Sequence, residues 1–268
     1  MDIKKITLIG GYGKTKEKEP VSEVNLKMGD IVSIVGPTGS GKTALINDIG
    51  LFANENTPSN RKVLINDSIP SDEFMNDPSK NPIALITQHT NFLSDLPVRR
   101  FLEMHTKIRQ RKISKLVIKN TLDFANQLTG EPIIQESAMT ELSGGQTRSL
   151  LIADAVIIGN SPIILLDEIE NAGINRTKAM ELLKNYKKIF IFVTHDPRIA
   201  LLSDFRIVMK NGAMQKVIVT DCEEKRMAEE IKKLDDLILD FRTHIREGER
   251  ISEKKFGNKL RTLRLLTQ

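Results

Sequence analysis

The chain has 268 residues, room for one large domain or two modest ones, and its 40% hydrophobic and 28% charged residues are those of an ordinary globular protein rather than a disordered one. Its single cysteine, Cys222, excludes an internal disulfide scaffold, and none of the four histidines (His89, His105, His195, His244) stands at ligand spacing from it, which speaks against a structural zinc site. The longest apolar runs fall far short of the roughly 20 residues of a membrane helix, and MDIKKITLIGGYGK holds no apolar stretch of signal-peptide length. The chain is therefore expected to be neither secreted nor membrane-spanning, with a mildly basic net charge of +5.

In chain order, short β-branched runs alternate with amphipathic stretches, the pattern of an α/β fold. Ile6–Ile9 and Val21–Leu26 read as strands of a small N-terminal sheet, with Gly10-Gly11-Tyr12-Gly13-Lys14-Thr15 between them as a turn. A nearly continuous apolar strand, Ile31–Val35, runs into a glycine-rich turn, then a helix over Thr43–Phe52 and strands at Lys62–Ile65 and Ile83–Thr87. Asp67–Pro82, rich in Pro, Asp, Ser and Asn, reads as loop. Val98–Gln127 is helical, with Phe101, His105, Ile108, Leu116, Leu122 and Phe124 as its apolar candidates. Buried strands at Ile163–Leu166 and Lys188–Val193 flank a short helix, and Phe205–Met209 and Gln215–Val219 form a hairpin about Asn211-Gly212. From Glu223 the chain is helical and highly charged, which places a domain boundary between 222 and 223.

Gly36-Pro37-Thr38-Gly39-Ser40-Gly41-Lys42-Thr43 fits G-x-x-x-x-G-K-[ST] between a buried strand and a helix, where backbone N–H groups can close around phosphate oxygens at the positive end of the helix. A chance match in a chain this long is on the order of one in a hundred. In such a loop Lys42 reaches the β- and γ-phosphates and the Thr43 hydroxyl ligates Mg²⁺. Ile163–Leu166 ends in Asp167-Glu168. The first acid is placed for a Mg²⁺ ligand, and the second for orienting or deprotonating an attacking water.

Glu141-Leu142-Ser143-Gly144-Gly145-Gln146, followed by a helical run over Thr147–Ile158, contains LSGGQ intact and resembles the signature motif of ATP-binding cassette (ABC) ATPases. Gln88 resembles that family's Q-loop glutamine, and His195, in Thr194-His195-Asp196, its switch histidine. The resemblance covers about residues 3–220. It implies a P-loop α/β cassette with an antiparallel β-subdomain, a helical subdomain over about 92–158 and, here, a C-terminal helical extension over 223–268. It also implies ATP hydrolysis with Mg²⁺ by a head-to-tail dimer, in which Ser143, Gly144, Gly145 and Gln146 of one copy face the ATP on the phosphate loop of the other. Glu168, His195 and Gln88 would serve the chemistry, Thr43, Asp167 and Gln88 the metal, and Tyr12 would stack on adenine.

Two features depart from the family pattern. Ile174 occupies the usual aspartate position in Ile169-Glu170-Asn171-Ala172-Gly173-Ile174-Asn175, and the Asp167–His195 segment leaves room for only one small helix. Val98–Asn120 carries eight lysines and arginines against Glu103 alone, a patch able to meet phospholipid headgroups, an acidic protein surface or nucleic acid. Met227, Ile231, Leu234, Ile238, Phe241 and Ile245 form a heptad-like stripe, able to pack back on the cassette or to pair with a second copy. A basic end follows, with Lys254, Lys255, Lys259, Arg261 and Arg264. Two readings stand at this level. One is the cytoplasmic nucleotide-binding subunit of a transporter, peripheral on separate membrane-spanning subunits. The other is a soluble ATPase remodelling a protein, metalloenzyme or nucleoprotein complex.

Overall fold

The computed structural model describes residues 3–87, 89–92, 94–110, 114–168, 174, 176–253 and 256–257. The chain divides into two compact units, Met1–Val219 and Thr220–Gln268, just ahead of the boundary expected from composition.

In the first unit, β1 (Lys5–Ile9), β2 (Glu23–Lys27) and β4 (Lys62–Ile65) form an antiparallel sheet in the order β2-β1-β4. The second sheet runs β5 (Ile83–Ile86), β6 (Ile163–Asp167), β7 (Ile189–Val193), β3 (Ile31–Val35), β8 (Phe205–Lys210), β9 (Ala213–Val219). Its first five strands are parallel, and β9 returns antiparallel through Asn211-Gly212. All five residues of β6 and of β7 are buried, as befits parallel strands covered on both faces. In β2 the burial alternates, Val24 and Leu26 inward and their neighbours out, because that sheet has one covered face.

Alternation along the parallel strands splits the hydrophobic residues into two cores. Ile163, Leu165, Ile189 and Ile191 join the antiparallel sheet and α1 (Lys42–Gly50), which contributes Leu45, Ile46 and Ile49. Ile164, Leu166, Phe190 and Phe192 face α3 (Val98–Gln110), α4 (Lys115–Leu128), α5 (Gly144–Ala153) and α6 (Arg176–Leu183), with α2 (Asp72–Asn76) and α7 (Pro197–Leu202) completing the helices of this unit. Each fully buried Leu, Ile or Phe contributes about 1.5–3 kcal/mol. The two helical sets are thereby fixed on opposite faces of one sheet.

Three local expectations are corrected. Asp67–Pro82 is not all loop: Ser71 caps α2 by accepting from Glu73 N, and Asp72 and Glu73 suit its first turn. On α3 the buried side chains are Val98, Leu102 and Thr106, while Ile108 is exposed, as is Leu116 on α4. His105 is half-buried, and its Nδ1 lies 2.7 Å from Asp154 Oδ1, in the π-helical turn Asp154–Ile158 that follows α5.

The second unit is dominated by α8 (Cys222–Arg246), capped by Asp221, which accepts from Glu224 N at 2.8 Å. Ala228 and Leu237 are its buried residues, while Met227, Leu234, Ile238 and Ile245 are exposed. Phe241 packs on Phe256, centroids 5.3 Å apart. Lys254, Lys255, Lys259, Arg261 and Arg264 lie outside the described residues. No helix among the described residues is long and apolar enough to cross a membrane.

Candidate functional site

The candidate residues lie at or just past the C-terminal ends of β3, β6 and β7, neighbouring strands of the parallel sheet. β3 passes into the loop 36–41 and then α1, whose N-cap, Gly41, supplies no side-chain bond, leaving the first N–H groups for a ligand. Gly41 has φ +98°, and a Cβ there would lie 2.7 Å from Gly212 Cα at the β8–β9 tip. Backbone cannot swing aside, so Gly41→Ala is expected to destabilise the fold by about 1–2 kcal/mol or more and to weaken nucleotide binding, as read by urea unfolding and titration.

Lys42 is buried and donates from Nζ to the carbonyls of Gly36 (3.0 Å) and Pro37 (3.2 Å), which holds its ammonium over the loop. Pro37, Thr38, Gly39 and Thr43 are exposed. Ser40 is buried, and its Oγ has no hydrogen-bond partner, an orphan polar group inside the loop. Tyr12 is 43% exposed on the turn after β1, its N–H donating to Ser59 O at 2.7 Å, so its ring is free to receive a flat ligand.

Asp167 closes β6, buried and in register with Val193. Glu168 N–H continues the ladder by donating to Val193 O at 2.9 Å, and Glu168 then turns to φ +49°, a left-handed conformation unusual for a non-glycine residue. That turn brings its Oε1 to 3.5 Å from Nε2 of His195, just past β7. Thr194 N donates to Ile34 O, and Asp196 caps α7 through Arg198 N at 2.7 Å, so the histidine is held between two fixed backbone points.

Ser143 caps α5. Its Oγ accepts from Gln146 N (3.3 Å) while Gln146 Oε1 accepts from Ser143 N (3.0 Å), and Gln146 Nε2 donates to Pro132 O. Ser143 and Gly144 are exposed at the helix N-terminus. α5 packs in one core and α1 in the other. Gln88, and Ile169–Gly173 and Asn175 of the atypical segment, lie outside the described residues, while Ile174 is buried in the α3–α6 core.

Sequence reasoning missed a buried ion triad beside the loop. Arg61 donates from Nε and Nη2 to Glu19 (3.1 and 2.6 Å), from Nη1 to Asp48 on α1 (2.8 Å) and again from Nη2 to Gly212 O (2.6 Å). All three side chains are buried. Burial pushes the guanidinium's pKa down, but the hydrogen bonds and charges of Glu19 and Asp48 outweigh it and hold the pKa above the ordinary value. Glu19 also accepts from Gly11 N and Met214 N, so one triad ties the Tyr12 turn, α1 and the β8–β9 hairpin together. No local motif announces these contacts, because the three residues are far apart in the chain.

The sequence profile of the ABC transporter family matches residues 21–171. The chain belongs to that family. The cassette is 49% identical, over 254 residues, to MJ0121 of Methanocaldococcus jannaschii, an uncharacterized ABC transporter ATP-binding protein, covering 95% of this chain and 97% of that one. It is 29% identical to the macrolide export ATP-binding/permease protein MacB of Campylobacter jejuni, over 78% of this chain but 32% of that protein. Among solved structures it resembles the dimeric ABC transporter cassette MJ0796 of M. jannaschii (TM-score 0.62, 26% identity, 81% of this chain and 99% of that one). It resembles also the dimeric post-hydrolysis state of MJ0796 bound to ADP and Pi (TM-score 0.60, 25% identity, 81% of this chain and 99% of that one).

Proposed function

We propose that this cassette is the nucleotide-binding subunit that drives an ABC transporter, hydrolysing ATP as a head-to-tail pair and seated on membrane-spanning subunits supplied by other chains. The reading is supported by the position of Lys42, Asp167, Glu168 and His195 at or just past the ends of neighbouring strands, with Glu168 and His195 3.5 Å apart, while α5, which Ser143 caps, packs in the other core from α1. The site is completed by the Ser143 helix end of a second copy, and the cassettes it resembles are dimeric.

Residue roles follow from position. The loop N–H groups, Lys42 and the orphan Ser40 hydroxyl bind the phosphate chain. Thr43 and Asp167 offer hard oxygen donors, a set that fits Mg²⁺, with Gln88 as a third. Bound there, Mg²⁺ neutralises phosphate charge. Glu168 orients the attacking water and accepts its proton, and His195, 3.5 Å away, holds the γ-phosphate side of the water. Ser143, Gly144 and Gly145 reach the γ-phosphate bound to the partner copy, while Gln146 fixes the cap and Tyr12 stacks on adenine. Most of the rate then comes from positioning and charge.

The test uses tagged Glu168→Gln protein, locked with ATP and Mg²⁺ and recovered from its native cells. Recovery from the membrane fraction with a multi-spanning protein is expected. Recovery free of membrane with a cytosolic or nucleic-acid partner would overturn the transport role and name the alternative client.

A further inference from the structure

The run Gly10–Thr15, a plain turn by sequence, lies against the phosphate loop. It opens a small hairpin in which Gly13 N donates to Glu17 O (2.9 Å), Lys16 N to Gly13 O (3.0 Å) and Glu19 N to Gly11 O (3.0 Å), with Tyr12 bridged to Lys18. The buried triad anchors its root, since Glu19 accepts from Gly11 N at 2.8 Å and from Arg61 at the same time. At its tip, Lys14 N donates to Asn211 O (2.8 Å), and Lys14 Nζ donates to the carbonyl of Gly39 in the phosphate loop (2.8 Å). The stem is pressed on Gly212, where a Cβ would lie 2.8 Å from Lys14 Cγ and where φ is +80°.

Such ordering is unusual for a surface lysine. Holding a lysine stem costs up to about 2 kcal/mol of rotamer entropy, and a bond to a neutral carbonyl returns about 0.5–1.5 kcal/mol. No carboxylate among the described residues pairs with Lys14. Two ammonium groups, Lys14 and Lys42, therefore sit on one short loop that ends at an uncapped helix N-terminus. Neither ammonium is ion-paired among the described residues, and with the helix N-terminus they form a receptor for a polyanion larger than the one Lys42 alone requires.

We propose that Lys14 is a second cationic contact to the phosphate chain of the nucleotide, delivered to the rim of the loop by the anchored hairpin. This rests on the reading of the loop as an ATP site. The Nζ exchanges its carbonyl partner for a phosphate oxygen, a stronger charge-assisted bond, while the stem stays on Gly212. The gain is in binding rather than chemistry, so Kd and KM carry it and kcat changes little.

The test pairs Lys14→Met, which keeps the stem and removes charge and donor, with Lys14→Arg, which keeps both. Isothermal titration with ATP–Mg²⁺ is expected to show binding weakened about 5–20-fold in the first and held within about twofold of wild type in the second, with unchanged thermal midpoints. A crystal structure of Glu168→Gln with ATP and Mg²⁺ is expected to place Lys14 Nζ within hydrogen-bond distance of a phosphate oxygen. Wild-type affinity in Lys14→Met overturns the proposal, as does an Nζ that stays on Gly39 O away from the phosphates, because the lysine then only braces the loop. Lys42→Ala separates the two levels: if it binds ATP like the wild type, the ATP site itself falls, whereas Lys14→Met alone bears only on the second contact.

Discussion

Glu168→Gln is expected to lower ATP turnover by about 10²–10⁴-fold while ATP binding persists and the ATP-bound pair accumulates. Glutamine keeps the shape of the side chain and can still orient a water, but it cannot accept a proton. The local geometry supports a large effect. Glu168 sits at φ +49° with its N–H committed to Val193 O, a conformation held by its surroundings at a position where an ordinary strand end would relax. Its carboxylate lies 3.5 Å from His195, just past the end of β7. Phosphate release measures the loss, and size-exclusion chromatography with ATP–Mg²⁺ measures the pair. Turnover near that of the wild type would remove Glu168 from the water-activating role, and a loss of ATP binding would show that the substitution had damaged the loop instead.

Arg61→Met is expected to destabilise the first unit by about 3–5 kcal/mol, read as a fall in the urea midpoint at pH 7. Removing the guanidinium leaves Glu19 and Asp48 buried without their cation, since Arg61 donates to both and is itself 1% exposed. The triple variant Arg61→Met, Glu19→Gln, Asp48→Asn is expected to recover part of the loss, because it takes the uncompensated charge away as well. Its nucleotide affinity is expected to stay low, since the Tyr12 and Lys14 hairpin, the Asn211-Gly212 tip and α1 share those bonds. A single variant as stable as the wild type would mean that the triad contributes nothing net.

Much of the site was legible because its chemistry is local. A phosphate loop needs consecutive N–H groups and glycine at left-handed positions, and the stretch 36–43 carries both as a contiguous string. The pair Asp167-Glu168 stood out by ending an apolar run, and the register of β6 with β7 then set Asp167 opposite Val193. Ser143 and Gln146 stand at the spacing of a capping box, which the hydrogen bonds realise. Less visible were the faces of helices. On α3 an apolar count favoured Phe101, His105 and Ile108; packing keeps Phe101 partly buried against the core, leaves Ile108 exposed, and buries Val98, Leu102 and Thr106. Thr106 fits because its hydroxyl donates to Leu102 O, which removes the penalty of burying it. On α8 much of the stripe is exposed in the single chain: apolar spacing records which positions share a face, and only neighbours decide whether that face is covered.

The amino-acid sequence by itself determined the α/β class, the order of the strands in the chain, the phosphate loop, the acid pair and the signature helix start. These depend on residues within a few positions of one another, where backbone geometry and hydrophobic period act directly. Only the tertiary structure decided that Glu168 and His195 meet and that α1, which follows the glycine-rich loop, and α5, which Ser143 caps, pack in different cores. It alone showed that Arg61, Glu19 and Asp48 lock a lysine-bearing hairpin onto the loop. Those contacts join residues apart in the chain, and which of many buried-charge pairings forms is settled when the sheet closes and leaves Glu19 and Asp48 sharing one cation, Arg61.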